Sequence, residues 1–498
     1  MTDPWVPLAA VGLPLLTAIV IFLLKDRHVA LRTTLNLTGA FVKLVLVGMM
    51  LWNVVNGAEY GVRLPIAPQL TLTLSVDALA LLFITLSAVL WATTTLYAIG
   101  YLENAPHSSR FFGFFSLSIF ATTGIALAGN LFTLFVFYEI LTLVTYPLVV
   151  HRGTPAALAA GRVYLRYTLA GGALLLLAVA WSHALAGAHD FVPGGYMRLL
   201  DANQRWPLTV LFFVLIAGFG VKAALFPLHG WLPVAMVAPA PVSALLHAVA
   251  VVKAGAFAIV RVVYDVFGAE FAHSLGVLGP LALLAAFTIL YGSVRALAQN
   301  ELKKRLAYST ISQISYIILG VAVLGPMSTI GALVHLVNQG LMKITLFMAA
   351  GNIAETLGVH RVRDMDGLGR RMPLTMAAFT IGALGMIGIP PTAGFVTKYY
   401  LGTGAAEAGQ WWVIAVLAAS SLLNACYFLP ILYRAWFKPQ SAPWPEEHGT
   451  AFDAKPMLLI PVVLTAAFSI GVGLFADSPA GPLEWAKLIA RQELGYAR

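Results

Sequence analysis

Ionisable side chains stand inside long apolar stretches of this sequence. Glu139 lies in LFTLFVFYEILTLVTYPL, and Lys222 lies in IAGFGVKAALFPLHGWLP, five residues before Pro227. On insertion scales such a residue costs about 2.5–3.5 kcal/mol at the centre of a membrane helix. Lysine suits proton transfer there, since burial and a nearby carboxylate shift its protonation in opposite directions. We therefore interpret Glu139 and Lys222 as a functional pair in which the lysine switches between charged and neutral forms.

The other ionisable residues within apolar stretches extend this pattern into a predicted proton relay. Its further members are His247, Lys253, His335, Lys343 and Lys398, with His229, beside the break at Pro227, as an accessory. For each residue taken alone, the alternative interpretation is a side chain that extends to the membrane surface, or a fixed ion pair between two helices. Four lysines and a glutamate in different helices favour the relay, because a proton path needs groups that change charge and a static core does not.

Cofactor and metal sites have little support in the sequence. The single cysteine, Cys426, excludes an internal disulfide, a cysteine-ligated iron–sulfur cluster and a cysteine-rich zinc site. No helix supplies two histidines at metal-ligand spacing. We expect no cofactor, no metal and no redox or hydrolytic centre in this chain. Whether it serves an oxidoreductase complex as a proton-pumping subunit stays open.

The elements that must hold these residues are membrane spans. The chain has 498 residues, 60% of them hydrophobic and 10% charged, whereas soluble domains have about 25% charged residues. Spans of about 20 apolar residues predict an all-α polytopic membrane protein with about fourteen transmembrane helices. The predicted spans are 5–24, 32–54, 72–98, 111–129, 131–150, 163–187, 208–236, 240–265, 275–297, 306–325, 328–354, 373–405, 411–433 and 456–476.

The basic residues predict the orientation of these spans. With the N-terminus outside, eighteen of the 30 lysines and arginines fall in inside loops or at their edges, six fall outside, and the other six lie deeper within spans. Cytoplasmic loops carry such an excess. We predict a multi-pass protein of the cell's inner (cytoplasmic) membrane, with both termini outside. The short basic loops between spans favour contact with the lipid bilayer and argue against binding of nucleic acid.

Two of the predicted spans are too long and contain proline. Span 208–236 is interrupted around Pro227 and Pro233, and span 373–405 is interrupted at Pro390 and Pro391. Proline removes a backbone donor and clashes with the preceding turn. Paired interrupted helices in two halves of a transporter indicate internal repeats with a site between them.

Several motifs together resemble the antiporter-like proton-conducting subunits of respiratory complex I, Mrp-type cation/proton antiporters and membrane-bound hydrogenases. They are SVDALALLF, RFFGFFSL, GNLFTLFVFYEILTL, GVKAALFPLHGWLP, APAPVSALLHAVAVVKAGAF, ELKKRLAYSTISQISYIILG and GIPPTAGFVTK. The resemblance covers nearly the whole chain. It implies fourteen helices with two inverted five-helix repeats, each with a proline-broken helix. The implied segments are an N-terminal three-helix segment (1–110), two repeats (111–265 and 275–433), and a C-terminal helix with its tail (434–498).

The resemblance also implies roles for residues and partners. It assigns the family's glutamate to Glu139, its broken-helix lysine to Lys222, its central lysine to Lys253 and its exit-side lysine to Lys398. One histidine common near residue 338 is replaced, since the sequence there reads Asn338-Gln339. The implied function is proton translocation within a multisubunit complex, beside other membrane subunits, with sodium carried elsewhere in the complex as an open alternative. A stand-alone solute transporter and the membrane subunit of an energy-coupled inorganic-carbon uptake complex are the alternatives.

Overall fold

Twenty α-helices and one β-hairpin form the described part of the chain. The computed structural model describes residues 5–102, 105–200, 204–441, 443–446, 452–479 and 481–495. The helices of the first half are α1 (Trp5–Leu23), α2 (Val29–Val55), α3 (Ala78–Tyr101), α4 (Ser108–Ala126), α5 (Leu131–Val149), α6 (Pro155–Ala186), α7 (Arg205–Lys222), α8 (Trp231–Val234), α9 (Ala240–Ala248) and α10 (Val251–Arg261). Those of the second half are α11 (Ala269–Ser274), α12 (Leu278–Leu297), α13 (Leu302–Ala322), α14 (Pro326–Leu357), α15 (Leu368–Arg371), α16 (Pro373–Ile387), α17 (Ala393–Glu407), α18 (Trp411–Phe437), α19 (Pro456–Leu474) and α20 (Pro482–Leu494).

The predicted class, a polytopic helical membrane protein, is confirmed. Within the described residues, eleven helices are long and apolar enough to cross a membrane. Each predicted span coincides with one helix, or with two successive helices, within a few residues at most ends. The total of fourteen spans and the inverted repeats stay predictions.

A β-hairpin precedes α3, where a helix was expected. Strands β1 (Tyr60–Ala67) and β2 (Leu70–Val76) pair antiparallel. The predicted span 72–98 was therefore wrong at its start. The stretch LTLTLSV alternates β-branched or polar residues with leucine, which favours a strand. Helix α3 begins only after Asp77, whose carboxylate accepts a hydrogen bond from the backbone N–H of Ala80 at 2.7 Å and so caps the helix.

Both proline-broken helices are present at the predicted places. Helix α7 ends at Lys222, and the chain resumes as the short helix α8 at Trp231. Helix α16 ends at Ile387, and α17 starts at Ala393, beyond Pro390 and Pro391. Each break leaves backbone groups without intrahelical partners, so side chains of neighbouring helices can bind them.

A third break interrupts the span that was predicted as continuous from 240 to 265. Helix α9 ends at Ala248 and α10 starts at Val251, with His247 and Lys253 on either side of the break. The segment Val262–Phe267 then continues α10 as a π-helix. No proline lies within this break, so no local signal in the sequence marks it.

Helix α14 lies at the centre of the molecule. It packs against α9, α13, α16, α17, α19, α20 and α3. The most apolar part of this helix is completely buried by the rest of the chain. His335 and Lys343, both on α14, are therefore enclosed by protein and not by lipid.

The close contact between α10 and the end of α7 depends on a glycine. A Cβ placed on Gly255 would lie 2.2 Å from the backbone nitrogen of Ala223, just beyond Lys222. Backbone atoms cannot yield as a flexible side chain can. We predict that Gly255→Ala destabilises the protein by about 1–3 kcal/mol, as overpacking does, measured as a fall in thermal unfolding temperature in detergent.

Gly279→Ala in α12 is the matched control, because a Cβ at Gly279 meets no atom within 4 Å. Since alanine favours helix by about 1 kcal/mol over glycine, this variant should be as stable as the parent or more stable. Equal unfolding temperatures for Gly255→Ala and Gly279→Ala would contradict the packing argument.

Candidate functional site

Lys222 is the last residue of α7 and is 1% exposed. Its ammonium group donates a hydrogen bond to the backbone carbonyl of Tyr138 in α5 and lies 3.4 Å from the centre of the Tyr138 ring. Within the described residues, no carboxylate oxygen lies within 4.0 Å of it. Lys222 thus reaches the residue next to Glu139 without forming a direct ion pair with it.

The Glu139 carboxylate lies against Gly172 of α6. A Cβ at Gly172 would stand 2.6 Å from one carboxylate oxygen and 2.8 Å from the other. Oxygen Oε1 is buried and has no hydrogen-bond partner among the described residues. Because Gly172 has no side chain, there is space beside it for the Glu139 carboxylate. Glu139 and Lys222 still interact electrostatically.

His229 lies in the gap between α7 and α8 and is 8% exposed. Its ring packs on Phe226 and Tyr291, with centroid distances of 5.6 and 4.9 Å. Its Nδ1 has no partner among the described groups. No contact joins it to the other predicted relay residues described, so it stands apart from them.

His247 and Lys253 flank the break between α9 and α10, and both are fully buried. The His247 ring stacks on Phe347 at a centroid distance of 4.3 Å, and neither ring nitrogen has a described partner. The Lys253 ammonium donates to the carbonyl of Leu336 at 2.6 Å. Lys253 therefore contacts α14 at the residue that follows His335.

His335 is held from two sides on α14. Its Nδ1 lies 3.2 Å from the Thr397 hydroxyl in α17, and its Nε2 lies 3.1 Å from the Gln313 carbonyl in α13. The Asn338 amide also donates to Thr397, at 3.2 Å. Lys253 contacts Leu336, the residue after His335, and Lys398 is the residue after Thr397. His335 therefore lies between the two lysines.

Lys343 is fully buried and faces α13. Its ammonium donates to the Ser309 hydroxyl at 2.7 Å and to the Leu306 carbonyl at 3.3 Å. The Tyr427 hydroxyl of α18 donates to Ser309 at 2.8 Å. Sequence reasoning did not find Ser309 or Tyr427, since hydroxyl side chains are common in helices and carry no charge.

Lys398 folds back onto the end of α16. Its ammonium donates to the carbonyls of Met386 at 3.2 Å and Ile387 at 2.5 Å, and to the Ser421 hydroxyl at 2.7 Å. A cation at the C-terminal end of a helix is favourable for the helix dipole. The aliphatic part of Lys398 packs on Gly388, where a Cβ would lie 2.6 Å from its Cδ.

The four lysines share one feature, namely that each donates to a backbone carbonyl. Lys343 and Lys398 also bind a hydroxyl group, and none of the four is ion-paired with a described carboxylate. Such sites hold an ammonium ion mainly by dipoles, and at Lys222 the Tyr138 ring and the more distant Glu139 charge also contribute. Within the described ranges, no group of three or more histidine, cysteine, aspartate or glutamate residues could hold a metal ion.

Comparison with known proteins gives a family match over most of the chain. The family described as NADH:quinone oxidoreductase/Mrp antiporter, transmembrane, matches residues 128–424. An NADH-quinone oxidoreductase subunit N from Desulforudis audaxviator is 37% identical over 424 residues, which cover 82% of this chain and 83% of the relative. A Na+/H+ antiporter subunit from Bacillus subtilis is 30% identical over 419 residues, covering 83% of each.

Solved structures give the same result at the level of the fold. A chain of the membrane-bound sulfane sulfur reductase, an archaeal respiratory membrane complex, superposes with a TM-score of 0.87 at 26% identity over 99% of both chains. A chain of the Mrp complex from Dietzia sp. gives a TM-score of 0.85 at 24% identity, over 99% of this chain and 98% of that one. The resemblance drawn from the motifs is confirmed: this chain belongs to the NADH:quinone oxidoreductase/Mrp antiporter transmembrane family.

Proposed function

We propose that this chain is an antiporter-like, proton-translocating subunit of a multisubunit membrane complex. The observation that carries the proposal is the set of buried lysines that are bound by carbonyl and hydroxyl oxygens and by no described carboxylate. The proton relay runs along Glu139, Lys222, His247, Lys253, His335, Lys343 and Lys398, with His229 as an accessory. The chain supplies the path, and its partners in the complex are other membrane subunits.

Oxygen dipoles suit a lysine that must release its proton. A lysine paired with a carboxylate is held in the charged form, because the opposite charge lies a few ångströms away. A charged lysine among carbonyl and hydroxyl oxygens has acceptors for its ammonium hydrogens. When it becomes neutral, it loses less interaction energy than a lysine paired with a carboxylate would. A second positive charge arriving nearby can then displace the proton.

The geometry supports a sequence of transfers through the second half of the chain. Lys253 reaches α14 at Leu336, and the adjacent His335 reaches α17 at Thr397, the residue before Lys398. Histidine can shuttle protons near neutral pH. His335 therefore bridges the central lysine and the lysine at the second helix break.

Access from the basic face is supported by a cavity of 470 Å³ between the two halves. Arg152, Lys303 and Arg361 contribute to its lining, together with Ala240 at the start of α9. Lys303 also influences His247 electrostatically. Under the predicted orientation this cavity opens toward the cytoplasm and supplies protons to His247.

Two narrower points are which ion this chain carries and which complex contains it. One relative is named a Na+/H+ antiporter subunit and another an NADH-quinone oxidoreductase subunit. A sodium ion needs clustered oxygen ligands, and the positive charge of the nearby lysines disfavours its binding, so the proton is the ion we assign to this chain. Any sodium site belongs to another subunit. Proteins that copurify with the chain would distinguish an antiporter from a redox complex or a carbon-uptake complex.

The remaining proposals concern orientation and organisation. We propose that both termini lie outside the cell's inner membrane. We also propose that residues 111–265 and 275–433 are inverted repeats, flanked by an N-terminal segment (1–110) and a C-terminal segment (434–498). The support is that the broken pairs α7/α8 and α16/α17 take corresponding places in the two halves.

A topology reporter tests the orientation. We predict that a reporter fused to the C-terminus is active only on the outer side of the membrane, because eighteen of the basic residues then lie inside and six outside. Fusion to the loop between α1 and α2 is the control and should give the opposite signal. A cytoplasmic signal from the C-terminus would reject the proposed orientation.

Substitution of Gly172 tests the position of the Glu139 carboxylate. We predict that Gly172→Ala displaces the carboxylate and lowers proton transport about tenfold or more in assembled complexes, since misplacement by 1 Å can cost about 100-fold. Gly402→Ala, where a Cβ meets no atom within 4 Å, is the control and should transport normally.

A rescue variant separates position from general damage. Glu139→Asp shortens the side chain by one methylene, which leaves room for the added Cβ. The double variant Gly172→Ala with Glu139→Asp should therefore recover part of the transport that Gly172→Ala loses. Transport by Gly172→Ala at the parent rate would show that the contact with Gly172 has no role.

Lys398 is predicted to be the terminal proton donor toward the outside. Lys398→Arg keeps the charge but holds its proton far more tightly, so it should assemble and fail to pump. Lys398→Glu retains a titratable group and should keep part of the activity. Proton pumping measured in assembled complexes checks this order. A fixed structural charge gives the reverse order, with arginine active and glutamate inactive, and that result would reject the role.

A further inference from the structure

A lysine outside the proposed relay is buried within the N-terminal helices. Lys43 lies near the middle of α2 and is 0% exposed. Its ammonium group donates to the Thr123 hydroxyl of α4 at 2.5 Å and lies 5.4 Å from the ring of Trp91 in α3. No described carboxylate is within ion-pair distance of it.

Polar side chains connect Lys43 with one end of these helices. Arg32, at the start of α2, donates to the Ser109 hydroxyl at the start of α4 at 3.1 Å. Lys43 and Thr123 form a second bridge between the same two helices, eleven residues along α2 from Arg32, or about 16 Å at the helical rise. The two helices therefore run side by side in the same direction, with a polar contact at each end of this stretch.

Between the two bridges lie buried polar atoms that lack partners. Ser116 is seven residues from both Ser109 and Thr123, and Asn36 is seven residues from Lys43, so these side chains lie on the same helix faces as the bridges. The Ser116 hydroxyl and the Asn36 oxygen Oδ1, both 0% exposed, have no hydrogen-bond partner among the described residues. The same holds for Nε1 of Trp91. Buried polar groups of this kind are normally satisfied by internal water.

The row of polar groups ends at the buried Arg32, beside the half-exposed carboxylate of Asp26. Asp26 precedes α2 and accepts hydrogen bonds from the backbone N–H groups of Ser109 at 2.8 Å and His107 at 3.1 Å. These bonds, that of Ser109 first, hold the pKa of Asp26 below its usual range. An ionised carboxylate beside Arg32 is a suitable entry point for protons. The charge count assigns this face to the cytoplasm.

We propose that Lys43 is a further proton-binding site, which protons reach through a column of water and polar side chains between α2, α3 and α4. The site is separate from the relay proposed above. Its ligand is the proton, delivered by water from the face that carries Asp26.

Apart from Lys43, the ionisable residues of α1–α4 are Arg32 on α2, Arg110 on α4, and Tyr97 and Tyr101 on α3, while α1 has none. The helices α5, α9, α10, α14 and α20 pack against α3 or α4 and carry further ionisable groups, among them Glu139, His247, Lys253, Lys343 and Glu493. The arginines lie at the helix ends and stay charged throughout the accessible pH range. A titration observed near Trp91 is therefore assigned to Lys43 only if replacement of Lys43 abolishes it.

Cysteine accessibility tests the column. In a full-length Cys426→Ser background, which removes the exposed native cysteine, Ser116→Cys should react with a small polar methanethiosulfonate at least about ten times faster than Ala121→Cys. Ala121 lies on the same helix, is equally buried, and has an apolar side chain. Equal rates for the two variants would overturn the proposed column.

Trp91 provides a direct readout of the charge on Lys43. The difference in fluorescence between the parent and Trp91→Phe isolates the emission of Trp91. This difference should show one pH transition in the parent and none with Lys43→Met or with Lys43→Arg, which stays charged. A flat signal in the parent, or the same transition with Lys43→Met, would overturn the site. Neither measurement depends on transport, so the proposed relay can fail while this site stands.

Discussion

The backbone carbonyl oxygen is the group on which the lysines of the proposed relay depend. An ammonium ion in a medium of low dielectric constant needs acceptors that replace its hydration. Lys253 and Lys398 find them in main-chain carbonyls of α14 and α16. Carbonyls carry partial charges that do not titrate, so the environment of each lysine stays the same while the lysine gains or loses a proton. Carboxylates in the same places would fix the charge.

Free carbonyls at a helix break account for the site of Lys398, whereas the other three lysines donate to carbonyls within the unbroken helices α5, α14 and α13. The last turn of a helix has carbonyls without intrahelical partners. Lys398 uses those of Met386 and Ile387, at the end of α16. The close helix contacts around such a break require small residues. Gly255 lets α10 approach the end of α7, and Gly172 leaves space for the Glu139 carboxylate.

Much of this architecture could be predicted from the sequence, because a membrane span has a strong signal in length and composition. The breaks in α7/α8 and α16/α17 were also predictable, since proline marks them. The break after Ala248 carries no proline, and it depends on tertiary contacts that the sequence does not display. The hairpin before α3 was missed because its alternating residues were counted as part of an apolar run.

Some residues of the candidate site could also be predicted from the sequence, and others could not. Charged residues in apolar stretches could be identified from the sequence, because placing a charge within a membrane span is costly and therefore rare. Their partners are mostly carbonyls, hydroxyls and glycines, such as Ser309, Thr397 and Gly172, which are common in any membrane helix. Lys43 stands at the middle of the predicted span 32–54 but was not included in the predicted relay, and the structure shows it fully buried near the middle of α2.

The two contacts of His335 impose a direction on this residue. The Gln313 carbonyl can only accept a hydrogen bond, so Nε2 of His335 must carry hydrogen in this arrangement. In the neutral ring the single free lone pair is then on Nδ1, which faces Thr397. A proton can join or leave the ring there without any rotation, whereas exchange at Nε2 requires the contact with Gln313 to break. In the proposed relay, His335 would thus exchange protons on the side of α17, and exchange on the side of α13 would require its ring to rotate.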